Sequence, residues 1–282
     1  MAVKQKLLYS LLPFIILVAL FQIAPLFSII KDSFSSASSG GFTTAHYEEL
    51  WQNPFYMQAF KNSFLISIAS SLAALLAGII IVKSILGFSP NTQEKLLVIT
   101  NMVSNFAGVP LAFAFIILLG TNGLFTLLLG QLGFDLASRF DLYSWRGLIL
   151  IYVYFQLPLA VLLLLPAMAN VKKEWREAAF TLGANPLLFT LKIELPFLLP
   201  SLLGTLSLLL ANAMGAYATA YALAGSNFNL ITIRIAQLIA GDLFLNPHLA
   251  GAMTVILGLM LIASMFIYQK SLSYARRNVH NV

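Results

Sequence analysis

Long apolar runs alternate with shorter polar connections along this chain. Six runs are long enough to cross a bilayer, whose hydrocarbon core of about 30 Å requires roughly 20 helical residues. Each run is interrupted only by small or neutral polar residues, prolines, or a lone lysine near one end. The pattern therefore predicts six membrane-spanning helices, at about 7–30, 63–86, 96–119, 147–169, 196–221 and 249–269.

The composition favours an all-α membrane protein over a water-soluble domain. Of the 282 residues, 60% are hydrophobic and 9% are charged, whereas soluble domains carry about 25% charged residues. The first run could instead be a cleaved signal peptide, but its apolar stretch of about 24 residues exceeds the roughly 7–15 residues of a signal sequence. There is no cysteine, which excludes disulfides and thiolate sites.

The positions of the basic residues predict the orientation. With a cytoplasmic N-terminus, eleven of the sixteen face the cytoplasm, namely Lys4, Lys6, Lys83, Lys95, Lys172, Lys173, Arg176, Lys192, Lys270, Arg276 and Arg277. Five face outwards, namely Lys31, Lys61, Arg139, Arg146 and Arg234. This N-in, C-in topology makes 31–62, 120–146 and 222–248 external loops and places 170–195 in the cytoplasm. Because the basic residues form no stripe, we expect no nucleic-acid partner.

Residues typical of catalysis or ion coupling are missing from the sequence. There is no GxxxxGK[ST] loop to hold a nucleotide phosphate, no histidine–carboxylate cluster for a metal, and no GxSxG elbow for a hydrolase. No span carries a charged residue or a histidine at its centre, which disfavours a proton- or sodium-coupled secondary transporter. We therefore expect a chain that is not an enzyme, binds no cofactor or metal, and takes its energy from elsewhere.

Neutral polar residues within the spans are candidates for a translocation pathway. The four strongest are Asn105, Gln156, Asn212 and Tyr217. Hydrogen bonding between packed helices is the alternative explanation for them and stays open. Small residues such as Gly108 and Gly215 permit either close helix approach or local unwinding of the backbone.

The cytoplasmic connection 170–195 is far longer than the few residues that a plain turn needs. Good helix formers run from Lys172 to Leu182, and Trp175, Ala179 and Leu182 recur on one side of that helix. Gly183 can end the helix by adopting a positive φ. The Asn–Pro pair that follows suits the start of a second helix, so the segment predicts a helix, a bend and a helix at the membrane surface.

This segment also resembles the EAA motif of permease subunits of binding-protein-dependent ABC importers. The motif reads EAA-xxx-G-x(9)-I-x-LP, and all seven fixed positions match, from Glu177-Ala178-Ala179 through Gly183 and Ile193 to Leu195-Pro196. The six-span pattern extends the resemblance over the whole chain, and it implies the type I importer permease (MetI-like) architecture. The wording NFAGVPLAFAF and the long external loops are similar to the polyamine, ferric-iron and aminoethylphosphonate group.

The resemblance implies partners and residue roles. The helix at 172–183 would be a coupling helix seated in a groove of a separate ATPase subunit dimer. Its contact residues would be Trp175, Arg176, Glu177, Ala178 and Ala179, with Gly183 setting the bend. A second permease subunit, either this chain or a homologue, would complete the pathway in a prokaryotic inner membrane. An extracytoplasmic solute-binding protein would deliver the solute to the external loops.

The solute remains open at this stage. Polyamines, iron complexes, phosphonates and other small polar or charged solutes all fit, and a sugar importer is the alternative within the same family. A secondary transporter, a membrane enzyme and a membrane protein without a transport role are the alternatives outside it.

Overall fold

The structure is a computed structural model that describes residues 11–36, 40–241 and 245–280. Lys4, Lys6 and the first residues of the first expected span lie outside the described residues. Within the described ranges, the secondary structure is helical apart from one isolated β-bridge between Ser35 and Phe42. The all-α class predicted from the sequence is therefore confirmed.

The helices follow one another with short connections. In chain order they are α1 (Leu11–Ser33), α2 (Ala45–Gln52), α3 (Pro54–Leu86), α4 (Pro90–Ser104), α5 (Val109–Leu119), α6 (Leu124–Gln131), α7 (Leu136–Arg139), α8 (Trp145–Ala169), α9 (Lys173–Thr181), α10 (Pro186–Met214), α11 (Tyr217–Ala224), α12 (Ile231–Ala240) and α13 (Pro247–His280).

Six segments of the described chain are long and apolar enough to cross a membrane. They are α1, α3, the α5–α6 run, α8, α10 and the part of α13 up to Lys270. This number agrees with the six spans expected from the apolar runs. Prolines inside α8 and α10 are compatible with spanning helices, because neighbouring groups in a membrane protein can satisfy the freed backbone carbonyls.

The third span differs from the expected 96–119. The structure places it at Val109–Gln131, and α4 is a separate helix that ends at Ser104. Asn105 caps the end of α4, and Gly108, the N-cap of α5, adopts φ +72°, a conformation that residues with a side chain rarely take. Pro110 then restarts the helix, since its missing N–H lies in the first turn, where no intrahelical partner is needed.

The fifth span also differs from its expected bounds of 196–221, since α10 runs from Pro186 to Met214. The Asn185 side chain accepts a hydrogen bond from the Leu188 amide at 2.7 Å, which caps the helix ten residues before the expected start. A π-helical turn at Thr190–Glu194 continues the helix into the span. The helix ends at Gly215, and α11 follows as a separate helix.

The chain divides into two units, and each is described by itself. The first comprises residues 1–60 and 229–260. In it Gly251 of α13 lies against the backbone of α1, where an added Cβ would come within 3.3 Å of the Ser33 nitrogen. The His248 ring also hydrogen-bonds to the Asp32 carbonyl over 3.0 Å. A small residue and one polar contact therefore fix the two helices together.

The second unit comprises residues 61–228 and 261–282. Its buried core is formed by aliphatic side chains of α3, α8 and α10, including Val82, Leu164 and Leu209. Gly78 of α3 permits close approach to α8, because a Cβ there would lie 3.0 Å from that of Ala160. The helix α9 and the interrupted spans, described in the next subsection, belong to this second unit.

Candidate functional site

One side of α9 packs against the start of the fifth span. Ala179 is only 6% exposed, and the half-buried Trp175 ring meets the edge of Phe197 at a centroid distance of 5.1 Å. These contacts agree with the apolar side that the sequence predicts for this helix. They fix which face of α9 remains open.

The open face of α9 carries the other residues of the motif. Glu177 and Ala178 are exposed. Within the described part of the chain, no side-chain hydrogen bond or ion pair involves the Glu177 carboxylate. A charged group and a small side chain thus lie side by side on an accessible surface, where a second protein could approach closely.

Leu182 lies elsewhere than the sequence predicts. The i, i+4, i+7 spacing grouped it with Trp175 and Ala179, yet it is 88% exposed. The reason is local: the helix ends at Thr181, and the Leu182 backbone, with ψ 9°, has left helical geometry.

The bend after α9 is confirmed at Gly183. Its φ is +82°, and the Ala184 amide donates to the Ala179 carbonyl at 3.0 Å, as in a glycine-terminated helix. No atom lies within 4 Å of the position that a Cβ would take. Backbone conformation, rather than crowding, therefore requires glycine here.

Aromatic rings orient Arg176 on α9. Its guanidinium lies 5.3 Å from the centre of the Phe180 ring. Phe180 in turn meets the edge of the buried Phe189 of α10 at 6.3 Å. Arg176 thus makes a cation–π contact within α9, the helix that Ala179 anchors to the fifth span.

A second feature forms where two spans are interrupted. The break before α5 and the break after α10 face each other, since a methyl added at Gly108 would lie 3.7 Å from the Cβ of Ala218. A cavity of about 680 Å³, here called the break cavity, lies beside them. It is lined by Ser104, Ala107, Gly108, Phe155, Leu159, Leu162, Ala211, Asn212, Gly215, Ala216, Tyr217, Ala218 and Thr219.

The break cavity is polar but uncharged. Among the described residues that line it, the polar side chains are those of Ser104, Asn212, Tyr217 and Thr219, and none is ionised at neutral pH. The break after α10 is stabilised by a hydrogen bond, which the buried Tyr152 hydroxyl donates to the Ala216 carbonyl at 2.7 Å. Such a wall can hydrogen-bond to a small molecule without binding it by charge.

The structure separates the four pathway candidates. Asn212 and Tyr217 line the break cavity. Asn105 is exposed, donates to the Asn101 carbonyl at 2.9 Å, and is not among the residues lining that cavity.

Gln156 is the fourth candidate, and it is fully buried. Its amide nitrogen donates to Ser70 at 3.0 Å and its oxygen accepts from Ser71 at 2.9 Å. Both ends of its side chain therefore hydrogen-bond to α3, and Gln156 links α8 to α3.

One organising residue escaped the sequence reasoning. In the first unit, the Arg234 guanidinium of α12 lies 4.6 Å from the centre of the Phe55 ring. Its Nε donates to Asn229 at 2.8 Å and its Nη1 donates to Gln237. Burial lowers the pKa of Arg234 from its ordinary value. The mixture of apolar and polar residues around Arg234 is the sequence signal that could have indicated a short helix here.

Several curated proteins are similar in sequence to this chain. The permease protein PhnU of Salmonella typhimurium, assigned to a 2-aminoethylphosphonate transport system, is 30% identical over 212 residues, which cover 73% of this chain and 72% of PhnU. The spermidine/putrescine transport system permease protein PotB of Haemophilus influenzae is 25% identical over 92% of this chain and 91% of its own length. No protein-family model matches the chain.

Two solved structures share the fold. A chain of a bacterial ABC transporter involved in the import of the acidic polysaccharide alginate superposes with a TM-score of 0.67 at 20% identity, covering 97% of this chain and 96% of its own. A second structure of a bacterial alginate ABC transporter, in complex with a pentasaccharide-bound periplasmic protein, gives 0.69 at 19% identity, covering 97% and 95% of the two chains.

Proposed function

Because this chain belongs to the permease subunits of ABC importers, we propose that residues 170–195, here called the coupling segment, transmit the motion of a separate ATPase to the spans. The observation that carries this proposal is the accessible face of α9, where the Glu177 carboxylate has no partner among the described residues. A surface that keeps a charge and small residues accessible is suited to docking a second subunit.

We further propose the N-in, C-in orientation in a prokaryotic inner membrane. Its support is the excess of Lys and Arg on the side that includes the coupling segment. With this orientation the coupling segment lies on the cytoplasmic side, where an ATPase subunit would bind. The external loops face a solute-binding protein.

The coupling segment would act as a rigid lever. Ala179 and Trp175 fix α9 to the fifth span, so a force applied to α9 reaches α10 directly. Glu177 would pair with basic or polar groups of an ATPase subunit, and Leu182 would fill an apolar depression beside them. When two ATPase subunits close on ATP, the paired permease subunits would rock between inward-open and outward-open states.

The break cavity would be this chain's contribution to the pathway. A second permease subunit, the same chain or a homologue, would supply the facing wall. The uncharged lining suits a solute that is selected beforehand by its binding protein and only weakly held in transit.

We infer a small polar or charged solute. Aminoethylphosphonate and polyamines are the first candidates, because the relatives at 30% and 25% identity carry those names. A sugar importer remains the second candidate, since the cavity wall carries Asn212 and Tyr217. The Tyr217 ring also stacks on that of Tyr221 at a centroid distance of 5.2 Å. Aromatic faces and amides are suited to sugar hydroxyls and rings.

Affinity purification of the tagged chain from its own host membranes tests the proposal. We expect an ABC-type ATPase and a second permease subunit to copurify, and reconstituted vesicles to require ATP for uptake of 2-aminoethylphosphonate or putrescine. Uptake by the lone chain without ATP would contradict the proposal and favour a secondary transporter.

A further inference from the structure

A second cavity in the same unit lies where three spans end. Its volume is about 390 Å³. Lys83 and Leu86 line it from the last turn of α3, Met168 from the last turn of α8, and Thr190 and Glu194 from the start of α10. The ends of spanning helices lie at the headgroup layer of a bilayer. We call this site the basic cavity.

The lining of the basic cavity is strongly cationic. Four of its side chains are Lys83, Lys172, Lys173 and Arg176, against one carboxylate, that of Glu194. Lys83 already lies 3.1 Å from that carboxylate, which also accepts from the Thr190 hydroxyl. In the part of the chain that the structure describes, the other three cations have no carboxylate partner.

Two of these cations are held in position by neighbouring rings. The Lys172 ammonium lies 5.9 Å from the centre of the Trp175 ring, and the contact of Arg176 with Phe180 is described above. Lys172 is also the N-cap of α9 and makes no side-chain capping bond, so the free amides of the first helical turn add positive potential. Ring contacts and the helix terminus therefore concentrate positive charge at this site, although its cationic side chains are exposed.

The floor of the basic cavity is apolar. Its apolar lining consists of Leu86, Val171, Pro186 and two nearly buried residues, Met168 at 4% and Phe189 at 5% exposure. A free phosphate ion would use only the charged rim of this cavity, whereas a phospholipid would also use its apolar floor. Basic pockets between spanning helices are suited to acidic lipid headgroups.

We propose that the basic cavity binds the phosphodiester headgroup of an anionic phospholipid. The lipid would lie between the end of α3 and the base of α9. It would thereby brace the coupling segment against the spans. The proposed N-in, C-in orientation would place this lipid in the cytoplasmic leaflet. Binding of the lipid itself depends only on the cavity and not on the orientation.

Native mass spectrometry of the purified full chain in detergent tests this. The probes are phosphatidylglycerol, phosphatidylcholine and inorganic phosphate, each added to delipidated protein. The test variant is Lys172→Gln with Lys173→Gln, and the matched control is Lys61→Gln with Lys95→Gln. The control removes the same charge from exposed residues that do not line the cavity.

We expect wild type and control to retain phosphatidylglycerol in preference to phosphatidylcholine, and the test variant to retain it roughly tenfold less. Added salt should weaken the wild-type preference, a measurement that needs no variant. Inorganic phosphate at matched concentration should not displace the lipid.

Three results would overturn the proposal. The first is equal retention of both lipids by wild type, and the second is equal phosphatidylglycerol retention by test and control variants. The third is displacement of the lipid by inorganic phosphate, which would assign the site to a free anion. If the test variant instead loses a copurifying ATPase while keeping the lipid, the cations serve the subunit interface. Absence of an ATPase from the wild-type preparation would contradict the proposed coupling and leave the lipid result intact.

Discussion

The coupling segment and the break cavity belong to one unit but are built in opposite ways. The coupling segment is continuous in sequence, exposes Glu177, and is ended by a glycine whose role is purely conformational. The break cavity draws its wall from α4, α8, α10, α11 and the two breaks, and its described lining is uncharged. In the proposed function, one feature would present a charged surface to a partner subunit, whereas the other would present a neutral surface to the solute.

This difference bears on how energy coupling and solute selection would be distributed between regions of the transporter. A docking surface must be specific, so its residue types and spacing are strict, and a short motif can specify it. A pathway that handles a solute already selected elsewhere needs only space, hydrogen-bonding groups and a flexible backbone. We therefore expect substitutions in the coupling segment to affect assembly, and substitutions around the break cavity to affect stability or flux.

The largest effect is expected for Glu177→Lys. Reversing the charge at the docking face should reduce copurification of the ATPase, and ATP-driven uptake with it, by about tenfold or more, while the subunit still inserts. Glu94→Lys makes the same change at an exposed position outside the coupling segment and should leave both quantities unchanged. Equal losses in the two variants would show that net charge, not docking, is responsible.

Leu182→Ser tests the apolar part of the same face. Burying a leucine against a partner contributes about 1.5–3 kcal/mol, so retention of the ATPase in a salt-washed purification should fall roughly tenfold. Leu132→Ser is the control, because Leu132 is 81% exposed and lies outside the coupling segment. Unchanged retention in Leu182→Ser would remove this residue from the interface.

Gly108→Ala probes the backbone of the break cavity. Because Gly108 has φ +72° and ψ −141°, a side chain there should cost about 1–3 kcal/mol of stability, measured by thermal unfolding in detergent. The neighbour at 3.7 Å leaves room for the methyl, so strain alone accounts for the loss. Gly130→Ala, at a helical glycine with open surroundings, should be neutral or slightly stabilising.

The smallest effect is expected for Gln156→Leu. It removes the hydrogen bonds to Ser70 and Ser71, and such bonds between membrane helices contribute about 0.6 kcal/mol on average. Stability should fall slightly while uptake per inserted subunit is retained. Asn212→Leu makes a similar change in the break cavity, and it should leave stability unchanged and reduce uptake. The reverse pattern would exchange the roles of the two residues.

The sequence predicted much of the fold because apolar periodicity and length suffice to identify spanning helices. The helix, bend and helix around α9 could be predicted equally well, because Gly183 and the Asn–Pro pair determine the local backbone conformation whatever surrounds them. Periodicity failed at the third span because apolar residues continue across the break, and only the glycine at 108 signals it. Periodicity also failed for Leu182, because it assumes a regular helix through this residue, whereas α9 ends at Thr181.

The sequence by itself determined the number of spans, the helix–bend–helix and the spacing of the motif, all of which depend on residues close together in the chain. Only the tertiary structure decided that Asn212 and Tyr217 face a cavity while Gln156 is enclosed by two serines. It alone also gathered four cations from α3 and the start of α9 around one space. Burial and charge clustering depend on which helices meet, and such contacts between distant residues leave no local pattern to read.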